Sequence, residues 1–179
     1  MTVRGEWAMK AVAVIGAAIL TSGCGDVTDN PYNFGDEEIA AAAETLTGRP
    51  TLAVTERHVT DALVRISEAV GAIAPDVRWR WHRERSQGGG CPGPYAYTEG
   101  QSVTTRALLS DTPIRDADWP AVLAAARAVA TGAGMDRLDV HADEPGRHDV
   151  TFAGEDGNRI TFGTYRAATI RGVTGCRRS

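Results

Sequence analysis

Residues 77 to 85 read VRWRWHRER, and at this point the hydrophobic period of the chain changes. Val77, Trp79 and Trp81 fall on every second position, with Arg78, Arg80 and His82 between them. That alternation puts the apolar side chains on one face of an extended strand and the polar ones on the other. The preceding segment follows a different rule. Val59, Ala62, Leu63, Ile66, Ala69, Val70 and Ile73 recur at spacings of three and four, the single stripe of a helix predicted over 55–73. Pro75 enforces its stop. An amphipathic helix therefore leads into a half-buried strand.

Working outward, Asp36-Glu37-Glu38 opens an earlier helix, with Asp36 as the expected N-cap and an acidic first turn that suits the helix dipole. Gly48 and Pro50 close it. Downstream, the glycine-rich loop SQGGGCPGP separates the first strand from a second predicted over 101–109. Asp118-Trp119-Pro120 starts a third helix that runs to about Thr131, with a stripe of Trp119, Val122, Leu123, Ala126 and Val129. Four more strands are expected at 138–142, 149–152, 159–165 and 167–173, and Glu155-Asp156-Gly157-Asn158 reads as a hairpin turn. Most strands follow one another without room for a parallel crossover. The expected fold is α+β: an antiparallel sheet of about five to six strands, helices on one face, and one disulfide.

The N-terminal residues carry an address. Arg4 and Lys10 give a weakly basic start, residues 11–20 are apolar, and Thr21-Ser22-Gly23 precede Cys24. About ten apolar residues rise only about 15 Å as a helix, half of a hydrocarbon core. The ending AILTSGC resembles a bacterial lipobox, with Thr21 where leucine is commonest. That resemblance implies cleavage before Cys24 and a diacylglyceryl thioether on its sulfur, the soft nucleophile such alkylation requires. The expected organisation is a lipoprotein signal peptide over 1–23, a lipidated N-terminus and tether over 24–35, and a single domain over 36–179. The partner that follows is the plasma membrane, with the domain on its extracytoplasmic face.

Composition narrows the function. The chain carries 19 Lys and Arg against 23 Asp and Glu, a formal net charge of −4. The leader removes Arg4, Lys10 and Glu6, so the remainder is slightly more acidic, which disfavours nucleic acid as a partner. Lys10 is the only lysine, so lysine chemistry is excluded from the domain. With Cys24 assigned to the anchor, Cys91 and Cys176 remain as an even pair. In an exported protein a disulfide is the default, with free thiols or half of a metal site as the alternatives.

Candidate chemistry is sparse. His141 and His148 flank Asp143 and Glu144 in HADEPGRHD, but the set sits in a Pro-Gly turn without the spacing of a zinc hydrolase, and a solvated hairpin connection is the expectation. His58 and His82 read as surface residues. No Gly-x-Ser-x-Gly elbow occurs, and Gly88-Gly89-Gly90 lacks the Lys-Ser/Thr of a phosphate loop. Neither a cofactor, a metal nor catalysis is expected. Arg78, Arg80, Arg83 and Arg85 form a basic run that suits an anionic lipid headgroup or acidic glycan, with cross-strand pairing to carboxylates as the competing expectation.

The Asn30-Pro31-Tyr32 tether, the central Cys91 and the terminal GVTGC ending at Cys176 together resemble the LppA-like lipoproteins of mycobacteria and related actinobacteria. The resemblance implies a lipid-anchored, disulfide-bonded domain outside the plasma membrane. It carries over no catalytic residue. The expected function is a non-catalytic envelope lipoprotein that binds a protein, glycan or lipid partner. Two alternatives are a carrier with an apolar cavity lined by Trp79, Trp81, Val122 and Phe162, and an envelope hydrolase.

Overall fold

The computed structural model describes residues 33–179. Three helices, α1 (Asp36–Thr47), α2 (Leu52–Ile73) and α3 (Trp119–Gly132), accompany eight strands in one sheet. The strands are β1 (Arg80–His82), β2 (Ser86–Gln87), β3 (Val103–Thr104), β4 (Ala107–Ser110), β5 (Arg137–Glu144), β6 (Arg147–Ala153), β7 (Arg159–Thr164) and β8 (Ala168–Val173). The main path runs β1-β4-β8-β7-β6-β5, with β3 joining β2 to β8. Each pairing is antiparallel.

The helix ends follow local chemistry. Asp36 is the first helical residue of α1 rather than its cap: Gly35 takes that position and its N–H donates to Glu38 Oε2 at 2.9 Å. Helix α2 starts at Leu52, ahead of the expected Thr55, because Thr51 caps it with a long 3.5 Å bond from Val54 N–H to its hydroxyl.

The strand count exceeds the expected five to six for two reasons. A two-residue strand, β2, lies in the glycine-rich loop, and the segment expected as one strand breaks at Thr105-Arg106 into β3 and β4. Strand β1 is short and lies at the sheet edge, and Arg83, with φ of 59°, turns the chain out of it. The expected alternation survives as a gradient: Val77 is buried, Trp79 half-buried and Trp81 37% exposed.

The core forms between the sheet and the two longer helices. Val59, Leu63, Ile66 and Val70 of α2, Val122 and Ala126 of α3, and Phe152, Ile160, Phe162 and Ile170 of the sheet pack in one cluster. Gly172 of β8 lets α2 approach closely, since a β-carbon there would run into Val59 Cγ1 and stand 3.0 Å from Leu63 Cδ1. Helix α1 belongs to a second, smaller cluster, in which Leu46 packs with Cys91, Cys176 and Tyr95.

Cys91 and Cys176 are joined by a disulfide, their Cα atoms 5.7 Å apart. The next residue, Arg177, is 1% exposed. Its guanidinium donates to Thr55 Oγ1, the Asp156 and Cys176 carbonyls, Asp156 Oδ2 and Asn158 Oδ1. Burial pulls its pKa down, and Asp156 opposes that shift. The C-terminus is thereby tied at once to α2 and to the β6–β7 turn. No helix among the described residues is long and apolar enough to cross a membrane.

Candidate binding site

An open cleft of about 490 Å³ lies between the outer face of α2 and the β1 edge of the sheet. Ala53, Glu56, Arg57, Thr60 and Asp61, spaced to share one side of α2, form one wall. Trp81 of β1, Arg85 from the following loop and Arg106 from the β3–β4 break complete it. The Arg106 guanidinium carbon lies 5.2 Å from the Trp81 ring centroid, within cation–π range.

The polar groups of this cleft are only partly committed. Arg85 donates through Nε to both Glu56 oxygens, at 2.8 and 3.0 Å, while its terminal nitrogens have no partner among the described residues. Arg106 Nη2 forms an exposed ion pair with Glu84 Oε1 at 3.6 Å, longer than a hydrogen bond. Arg57 and Asp61 make no ion pair or side-chain hydrogen bond among the described residues. The cleft thus offers an aromatic surface, unspent guanidinium donors and one unspent carboxylate acceptor.

The basic run of the sequence is divided by the structure. Arg80 forms a bidentate bond to Asp111 at 2.9 and 3.1 Å, and only Arg85 enters the cleft. Arg78 and Arg83 are exposed with no ion pair among the described residues. Arg57 and Arg106 were not among the expected contacts. Arg57 lies off the buried stripe of α2, and Arg106 reaches the cleft through the pairing of β1 with β4.

His148 corrects the expectation of a solvated hairpin. It is 7% exposed, stacks on Trp119, and places Nδ1 2.7 Å from Asp143 Oδ1 and Nε2 3.0 Å from Asp116 Oδ1. Asp116 Oδ1 also accepts the Gly146 N–H at 2.9 Å. That backbone bond first, and the His148 ring second, hold the Asp116 pKa below the ordinary carboxylate value, against desolvation. The arrangement fastens the β5–β6 turn to the loop before α3.

His141 points elsewhere, with Nε2 2.9 Å from Thr151 Oγ1. His58 is exposed and lies 3.0 Å from the Ala133 carbonyl, and His82 is exposed on β1. No group of three or more His, Cys, Asp or Glu suited to a metal occurs among the described residues. The four residues expected to line a carrier cavity do not share one. Val122 and Phe162 are fully buried in the core, Trp79 packs against it, and Trp81 faces the outer cleft. Cys24 lies outside the described residues.

Fold and site together define a small α+β domain, closed by one disulfide and built around a packed core, that presents an aromatic and arginine-rich cleft at a sheet edge. The chain belongs to the LppA family: the family model, described as "Lipoprotein confined to pathogenic Mycobacterium", matches residues 28–179. The crystal structure of LppA from Mycobacterium tuberculosis is similar, with a TM-score of 0.62 at 12% identity over 79% of this chain and 85% of that one. A DUF4853 family protein from Actinomyces odontolyticus is similar with a TM-score of 0.50 at 12% identity, over 75% of this chain and 72% of that one. At such identities the likeness is one of fold. No curated protein sequence matches.

Proposed function

We propose that this protein is a membrane-anchored cell-envelope lipoprotein whose extracytoplasmic domain is a non-catalytic binding module, its partner docking in the Trp81 cleft. The anchor is the lipidated Cys24 that follows a signal peptide over 1–23. Residues 24–35 are the tether and residues 36–179 the binding domain. Membership of a lipoprotein family supports the anchor. The observation that carries the binding role is the cleft itself. Trp81 is 37% exposed there, beside the guanidinium groups of Arg57 and Arg106 and the terminal nitrogens of Arg85, which make no hydrogen bond among the described residues. Aromatic and arginine side chains that remain accessible in a concave surface are favoured anchors for a partner. His141 and His148, the candidates for a catalytic or metal role, are engaged by Thr151 and by the two aspartates instead.

A photoactivatable residue at position 57, expressed in the native envelope, tests this role. The expected result is a discrete crosslinked adduct from position 57 and none from position 141, which lies on β5 at the opposite edge of the sheet. Equal labelling from both positions, or none from either, would overturn it.

A further inference from the structure

We infer that the Trp81 cleft takes an acidic saccharide, a sugar ring that carries a carboxylate, and this inference rests on the binding role proposed above. Three kinds of group meet in the cleft, and each suits a different part of such a ligand. The exposed indole of Trp81 offers an apolar plane to the C–H face of a pyranose. Arg57, Arg106 and the free end of Arg85 offer planar N–H forks, the geometry that pairs bidentately with a carboxylate. Asp61 is an acceptor with no partner among the described residues, which a sugar hydroxyl satisfies by donating.

The same inventory argues against a bare phosphate or phosphodiester. A phosphodiester has no hydroxyl to give Asp61, and neither anion has an apolar ring face to lay on the indole plane. A neutral sugar would meet the arginine forks only through single hydrogen bonds to its oxygens, without the charge-assisted bidentate pair a carboxylate makes. The cleft volume of about 490 Å³ lies inside the range of roughly 300–1,000 Å³ usual for small-ligand sites. The cleft is also open to solvent along the β1 edge, so an internal residue of a longer glycan can be held as well as a free sugar.

The test compares a galacturonic acid trimer with its fully methyl-esterified form, which has the same rings but no charge. The readout is chemical shift, with the Trp81 indole N–H and the residue 57 and 61 amides as reporters. The free acid is expected to shift these signals saturably, and the ester to bind at least about tenfold more weakly. Trp81→Ala is expected to abolish the shifts at 57 and 61, and Arg57→Gln with Arg106→Gln to lower affinity for the acid by about tenfold or more, so that the preference for acid over ester is lost. All these positions are exposed, and unchanged thermal melting confirms that the variants fold. Equal binding of acid and ester, no response to either, or an equal response to inorganic phosphate would overturn the inference. If the trimer fails but position 57 crosslinks to a protein in the envelope, the binding role stands and the saccharide falls. If both fail, both fall.

Discussion

The imidazole of His148 lies nearly flat on the indole of Trp119, with ring centroids 4.6 Å apart and planes 11° from parallel. Trp119 in turn stacks on Phe162 at 5.3 Å, so the histidine continues an aromatic column that rises from the core. Both its ring nitrogens lie within hydrogen-bond distance of carboxylate oxygens, so the ring bridges Asp143 and Asp116. His148→Ala should therefore remove a stacked ring and leave Asp116 and Asp143 without the group that bridges them. The expected loss is about 2–3 kcal/mol in urea denaturation. His148→Phe keeps the stack but not the polar contacts and should fall between the two. A His148→Ala change within about 0.5 kcal/mol of the parent would contradict this role.

Asp116 makes the acid stability of the domain specific. Its pKa is held down in the fold, chiefly by the Gly146 N–H and then by His148, so the unfolded chain binds a proton at higher pH than the folded one does. The stability it contributes is present above the unfolded value of about 3.9 and disappears as pH falls through the lower folded value. Other charged groups around His148 and this loop include Asp143, Arg115, Asp118 and Asp76. Asp116→Asn should flatten the acid limb of a urea-midpoint profile taken from about pH 2 to pH 7. An unchanged acid limb would rule out this origin.

Gly172 is required by close packing, not by backbone conformation. Gly172→Ala should cost about 2–3 kcal/mol, because its new methyl meets Val59 and Leu63 in a filled core. Val59→Ala opens space at the same point, so the double variant should be more stable than the two separate losses imply. Simple additivity in thermal denaturation would show that the contact does not limit packing.

Cys91 and Cys176 are 85 positions apart in sequence. A bridge closing a loop of that size stabilises by about 4–5 kcal/mol in the chain-entropy model. Replacing both cysteines with serine should lower stability by several kcal/mol, about 3–5 allowing for altered side-chain contacts. The parent protein should take up alkylating agent at these positions only after reduction. Labelling before reduction would contradict the bond.

Much of the fold is legible in the sequence because its signals are local. The stripe from Val59 to Ile73, the Pro75 stop and the Glu155–Asn158 turn each specify their element within a few residues. The change of period at Val77 correctly announces a strand. Its brevity could not be read, because β1 ends where it loses β4 as partner and Arg83 turns away. The cysteine pairing was accessible through parity and compartment.

The site was much less legible. Arg57 and Arg106 lie on separate elements and meet only through the packing of α2 beside the β1–β4 edge. His148 looked solvated because its partners are split between a cross-strand neighbour, Asp143, and a distant loop residue, Asp116. Arg177 belongs to no motif or periodic pattern, and its burial depends on Thr55, Asp156 and Asn158. Long-range contacts of this kind leave no periodic trace in a single chain.

The proposed binding role supposes that Cys24 holds the domain at a membrane surface. Intact-mass measurement of the protein extracted from envelope membranes tests this most directly. The expected species begins at Cys24, lacks residues 1–23 and carries a diacylglyceryl group on that cysteine, while Cys24→Ala leaves the protein without the lipid. A mature protein recovered with an unmodified Cys24, or with residues 1–23 still attached, would contradict the anchor.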